Sequence, residues 1–128
     1  LRAVMEGVAY SLRDCFEICR EMGIDISDMT ACGGGGTSSL WRQMLADLYK
    51  CPVKTSASKE GPALGAAILA AVGAGIYSSV PEACSAIVKT DKTQQPISEN
   101  IPKYDSCYKL YTEIYPALKD KFKVLAKL

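Results

Sequence analysis

Apolar residues recur at spacings of three and four along the first 22 positions, through Val4, Val8, Leu12, Cys15, Cys19 and Met22. Glu6, Arg13, Asp14, Glu17, Arg20 and Glu21 fall largely elsewhere, so the pattern predicts an amphipathic helix over 1–22 that ends at Gly23. A connector over 24–28 leads to a short buried strand over 29–32, and four glycines, Gly33 to Gly36, break the run. Helical spacing resumes at Ser38 or Ser39, with Leu40, Trp41, Met44, Leu45 and Leu48 on the apolar side and Pro52 closing the segment. Positions 53–56 read as a second brief strand, making 29–56 a strand, glycine turn, helix and strand.

From Gly61 to Val80 no charge appears, over a length on the order of what a bilayer crossing requires. The residues are mostly Ala and Gly, which carry little transfer energy, so the favoured reading is a helix with its backbone close against a neighbour. Pro62 suits its first turn, and Gly73 and Gly75 mark its exit. A short helix follows near Ser79 with Pro81 at its first position, completing a helical stretch over 61–88. Positions 89–100 are polar and read as irregular, which leaves only two strands in the chain. Tyr104, Tyr108, Tyr111, Tyr115 and Leu118 then share one side of a helix over 101–127, in which Pro116 is expected to produce a kink or a new start. Such a stripe reads as packing with hydroxyls at the water edge, in preference to a stacking platform. The same preference makes Trp41 a packing residue.

The glycine turn is the candidate for chemistry. Glycines let a bound group approach the main chain, and a helix opening directly afterwards adds free N–H groups and the positive end of its dipole. Together they form a plausible phosphate seat. A Walker loop is excluded, because Gly36 is followed by Thr37 and the nearest basic residue is Arg42, inside the helix. A dinucleotide fingerprint fits poorly, with Ser38 where Gly or Ala belongs and no acid ending the next strand. The glycines alone leave a tight turn that binds nothing equally open.

Composition narrows the choice by exclusion. A chain of 128 residues, 23% charged and 48% hydrophobic, can bury the core of one domain. Its net charge of +1 supplies no basic field for nucleic acid. The absence of His removes the commonest general base and transition-metal ligand, and no metal site is expected. Six cysteines without a Cys-x-x-Cys pair read as buried thiols of a reducing compartment. The start at Leu1 shows neither an initiator Met nor a signal peptide, and the chain is expected to begin inside a longer polypeptide.

Taken in order, Arg2-Ala-Val-Met-Glu-Gly-Val-Ala-Tyr, Gly33-Gly-Gly-Gly-Thr-Ser-Ser-Leu-Trp-Arg-Gln with Ala46 and Asp47, Glu60-Gly-Pro-Ala-Leu-Gly-Ala-Ala-Ile-Leu-Ala, and the tyrosine-spaced helix resemble the C-terminal part of the FGGY carbohydrate kinases. The likeness covers nearly the whole chain and is strongest to the branch that phosphorylates xylulose. It implies an α/β fold, a helix-rich part of a ribonuclease H-like domain of the actin and hexokinase type. It also implies that ATP or ADP lies between two domains and that magnesium is held mainly by the phosphates and by residues outside this chain. The reduced thiols predict a cytoplasmic protein, and an incomplete sheet with unpaired edges predicts a homodimer.

By position, the resemblance implies that Gly33, Gly34 and Gly35 approach the phosphates and ribose, and that Ser38 faces the adenosine. Glycerol kinases of the family commonly have an acid before the glycines and Asn at the Ser38 position, and Cys32 and Ser38 depart from that. The catalytic Asp is expected upstream of Leu1, so no catalytic residue is assigned here and the fragment alone is expected to be inactive. The intact enzyme would convert D-xylulose to D-xylulose 5-phosphate, the alternatives being glycerol, ribulose or gluconate. A different class of reading is a noncatalytic association module. Neither nucleic acid nor membrane is an expected partner, whereas a second copy of the chain is.

Overall fold

In the computed structural model, which describes residues 1–58 and 61–128, three short strands make one sheet in the order β1-β2-β3. Strand β1 (Met29–Ala31) runs parallel to β2 (Val53–Ser56), with Met29 opposite Val53 and Ala31 opposite Thr55. Strand β3 (Thr90–Gln94) runs antiparallel on the other side of β2, pairing Val53 with Gln94, and the register slips between Thr55 and Ser56. The parallel pair requires a crossover, which helix α2 (Ser39–Tyr49) supplies.

Local signals set the helix ends. Helix α1 (Arg2–Glu21) closes as Gly23 turns to φ +79°, with Gly23 N–H donating to Arg20 and Ile24 N–H to Cys19. That paired arrangement satisfies two terminal carbonyls. Ser38 caps α2 by accepting a 3.3 Å bond from Trp41 N–H, and Lys50 ends the helix in the left-handed region before Pro52. Helices α3 (Gly61–Gly73) and α4 (Val80–Ile87) follow β2, and Ser79 caps α4 through Glu82 N–H. Helix α5 (Ile101–Leu125) continues through Pro116.

The core lies where α1, α2 and α5 meet the sheet. Met44, Leu45, Leu48 and Tyr49 from α2 pack with Ala9, Tyr10 and Phe16 from α1, Val53 from β2 and Tyr104 from α5. The Phe16 and Tyr49 rings stack at 4.9 Å between centroids. Tyr10 sits against Tyr104, Tyr108 and Tyr111, while Tyr108 donates its hydroxyl to Asp14 at 2.6 Å. The first three tyrosines of the stripe are therefore packing residues with polar tips, and Trp41 is half-buried against the same core. Arg13, buried beneath Tyr108, bonds Glu17 at 3.0 Å and Asp105 at 2.9 Å, tying α1 to α5.

Several sequence expectations are corrected. Residues 89–100 are not wholly irregular, since Thr90–Gln94 forms β3 and brings the strands to three among the described residues. Its side chains are polar on both faces, and pairing with β2 holds it in place. The apolar stripe of α1 is its exposed side, with Val4 68% and Met22 73% exposed, while Ala9, Tyr10, Arg13 and Phe16 form the buried face. Helix α3 does not press its backbone on a neighbour: a Cβ at Gly61 or Gly65 would meet nothing within 4 Å, and Ile68 is its one buried residue among those described. All six thiols are free, yet only Cys51 is fully buried. Pro81 occupies the second helical position, after Val80. Glu60, part of one sequence block singled out above, lies outside the described residues.

Candidate functional site

Strands β1 and β2 end side by side, and the chain leaves them in different directions, into the glycine turn and toward α3. A cleft of about 380 Å³ opens there, at the carboxyl ends of the parallel strands. Such crevices are where open α/β sheets receive ligands, and the volume suits a small molecule. Gly33, Gly34 and Thr37 line one wall, while Ser56, Asp91 and Lys92 line another.

The turn is a single tight coil over Gly34–Thr37. Gly33 starts it at φ +73°, a conformation that side chains disfavour. Gly36 is required for a different reason: a Cβ there would lie 2.8 Å from the Ala31 carbonyl oxygen. Gly36 N–H donates to Gly33, Ser38 N–H to Gly35, and the Thr37 hydroxyl to the Gly34 carbonyl at 2.7 Å. Arg42 reaches back from α2 and donates from Nη1 to the Gly36 carbonyl at 2.6 Å. These bonds fix the turn and leave the N–H groups of Gly34 and Gly35 without a main-chain acceptor among the described residues. A Cβ at Gly34 would meet nothing within 4 Å, so its surface is open to a ligand.

Of the residues singled out in the sequence, Gly33 and Gly34 line the cleft. Gly35 turns toward the Trp41 ring instead, where a Cβ would lie 3.3 Å from Nε1. Ser38 is exposed beside the cleft, and its hydroxyl oxygen serves the first turn of α2. Sequence reasoning missed Gly36 and Arg42 as parts of the site, and Asp91 and Lys92 because β3 was not foreseen. A signal for Arg42 existed, since it is a lone cation on the same stretch of helix as Leu40, Trp41, Met44 and Leu45. Among the described residues no group of His, Cys, Asp and Glu could hold a metal, and no helix is long and apolar enough to cross a membrane.

Residues 1–74 match the profile of the FGGY family of carbohydrate kinases, C-terminal domain. A xylulose kinase of Staphylococcus epidermidis is 39% identical over 118 residues, which make up 92% of this chain and 24% of that protein. A ribulokinase of Bacillus licheniformis is 35% identical over 133 aligned positions, covering 99% of this chain and 24% of that protein. The crystal structure of ligand-bound xylulose kinase from Lactobacillus acidophilus superposes with a TM-score of 0.85 at 27% identity, over 92% of this chain and 24% of that one. The chain thus spans about a quarter of the length of these relatives, and its helix-rich α/β architecture is that of sugar kinases with the actin and hexokinase type of fold.

Proposed function

Because this chain belongs to the FGGY family of carbohydrate kinases, we propose that it is the C-terminal, nucleotide-holding part of an ATP-dependent sugar kinase. The observation that carries the reading is the glycine turn, whose Gly34 N–H lacks a main-chain acceptor and whose surface opens into the cleft. Main-chain N–H groups of this kind, close to the start of a helix, suit a phosphate. In this reading Gly33 and Gly34 support the phosphates, Gly35 stands behind them, and Ser38 lies toward the adenosine.

ATP supplies the phosphoryl group, and magnesium is carried by the phosphates and by residues outside this chain. The proposed sugar is D-xylulose, giving D-xylulose 5-phosphate, which the xylulose kinase of S. epidermidis supports by its name. Ribulose is the second choice, supported by the ribulokinase of B. licheniformis. Glycerol and gluconate remain alternatives within the class. The base that accepts the sugar hydroxyl proton is placed outside these residues, and the proposed compartment is the cytoplasm. Calorimetric titration of the chain with ADP tests the nucleotide site: Gly34→Val is expected to weaken binding, and unchanged binding would refute the assignment. Xylulose phosphorylation by this chain alone, at the rate of a full-length kinase, would refute the placement of the base.

A second reading, association with another copy of the chain, is favoured by the exposed apolar stripe of α1 and by the outer edge of β1, which has no strand beyond it among the described residues. The noncatalytic module is this reading without the nucleotide. Sedimentation velocity decides it, with a dimer expected and a monomer at high concentration counting against it.

A further inference from the structure

Arg42 is 5% exposed and forms part of the cleft wall. Its Nη1 holds the Gly36 carbonyl, and its Nε is buried with no partner. Among the described residues no carboxylate lies within ion-pair distance of it, although Arg2, Arg13 and Arg20 each have one. A guanidinium offers five N–H donors, so the single bond to Gly36 leaves most of its capacity unused. Burying such a charge without a counter-ion is unfavourable, and the imbalance is relieved when an anion enters beside it. The charges that β3 brings to the cleft, Asp91 and Lys92, are of opposite sign and cancel to first order. The uncompensated cation at this site, among the described residues, is therefore Arg42.

We propose that Arg42 is a ligand-binding residue, the cationic contact for the phosphate group that the glycine turn receives. The assignment rests on the nucleotide reading above and extends it, by giving the phosphate end of the ligand a side-chain partner from α2. It also gives Arg42 two tasks, since the same guanidinium braces Gly36 and meets the anion. A planar fork can do both, whereas a lysine ammonium on a flexible stem is poorly shaped for it.

The test compares ADP, adenosine and inorganic pyrophosphate as ligands of the chain, for the wild type and for Arg42→Gln and Arg42→Lys. Glutamine keeps an N–H donor for Gly36 but removes the charge. Arg42→Gln is expected to weaken ADP and pyrophosphate by at least about tenfold while adenosine changes little, and Arg42→Lys to restore part of the loss. A brace with no ligand contact would instead lower all three together, and that result, or no change, overturns the proposal. Should the variants fail to fold, the wild-type Arg42 guanidinium 15N resonances provide the readout. They are expected to shift with pyrophosphate, and static resonances under saturation overturn the proposal. Pyrophosphate binding that depends on Arg42, with ADP no tighter and adenosine unbound, would uphold the anion contact and refute the nucleotide reading.

Discussion

Asn100 Nδ2 donates a 2.7 Å hydrogen bond to Asp47 Oδ2, fastening the residue that precedes α5 to a carboxylate buried in α2. The other oxygen accepts from Ile97 N–H at 2.7 Å and from Gln43 Nε2 at 2.6 Å. Gln43 in turn bonds the Gln95 carbonyl and the Gln94 side chain, so one turn of α2 controls how β3 leads into α5. Asp47→Ala leaves the part-buried donors of Ile97 and Asn100 without their acceptor and should destabilise the chain by about 2 kcal/mol. Urea unfolding measures the loss, and a change below about 1 kcal/mol would mean the network contributes little.

Two glycines of the turn, Gly34 and Gly36, should respond differently to the same change. Gly36→Ala forces a Cβ against the Ala31 carbonyl and is expected to cost about 2 kcal/mol of unfolding free energy. Gly34→Ala has open space and should stay within about 0.5 kcal/mol of the wild type. Equal losses at the two sites would contradict the packing described here.

Asp105 should give the chain part of its acid sensitivity. Burial pushes its carboxyl upward, but hydrogen bonds and charge from Lys50 and Arg13 outweigh that and hold it below its ordinary value. A lowered folded-state value means that the stabilisation is present above the unfolded carboxyl value, about 3.9, and is lost as pH falls through the lower folded one. With 38% of its side chain exposed, solvent screens the pair and the effect is modest. Asp105→Asn is expected to be less stable than the wild type at neutral pH, the gap narrowing below about pH 4. Denaturant midpoints across that range give the answer, and a constant gap would refute the linkage.

The far end of α5 should be dispensable for stability. Ile114, Tyr115, Leu118 and Phe122 are all more than two-fifths exposed, and Tyr115 stacks on Phe122 of the same helix at 6.3 Å. Removing 117–128 is expected to change unfolding free energy by less than about 1 kcal/mol. A larger loss would show that the tail packs on something in solution.

What could be read from residues alone divides along physical lines. Gly23, Ser38, Pro52 and Ser79 act on their own backbone neighbours, and the helix ends they announce are where the sequence puts them within a residue or two. Strand β3 escaped notice because Thr90-Asp-Lys-Thr-Gln has no alternation, and its pairing depends on β2 more than 30 residues earlier. The face of α1 was misleading because its buried residues include Arg13, which is paired with Glu17 and Asp105, and Tyr10, which packs on the tyrosines of α5, whereas Val4 and Leu12 look more apolar and face outward. At the site, the run of glycines marked the location but not the need for each one. Gly36 is defined by the distance to Ala31, and Arg42 by what its guanidinium lacks. Neither relation has a linear signature.

Strand β3 carries Asp91 and Lys92 along an exposed border, while β1 presents Met29, Thr30 and Ala31 without a formal charge. Charged borders discourage further pairing and plain ones permit it. Of the two borders of the sheet, that of β1 therefore opposes an incoming strand less, and Thr30 sits at its middle.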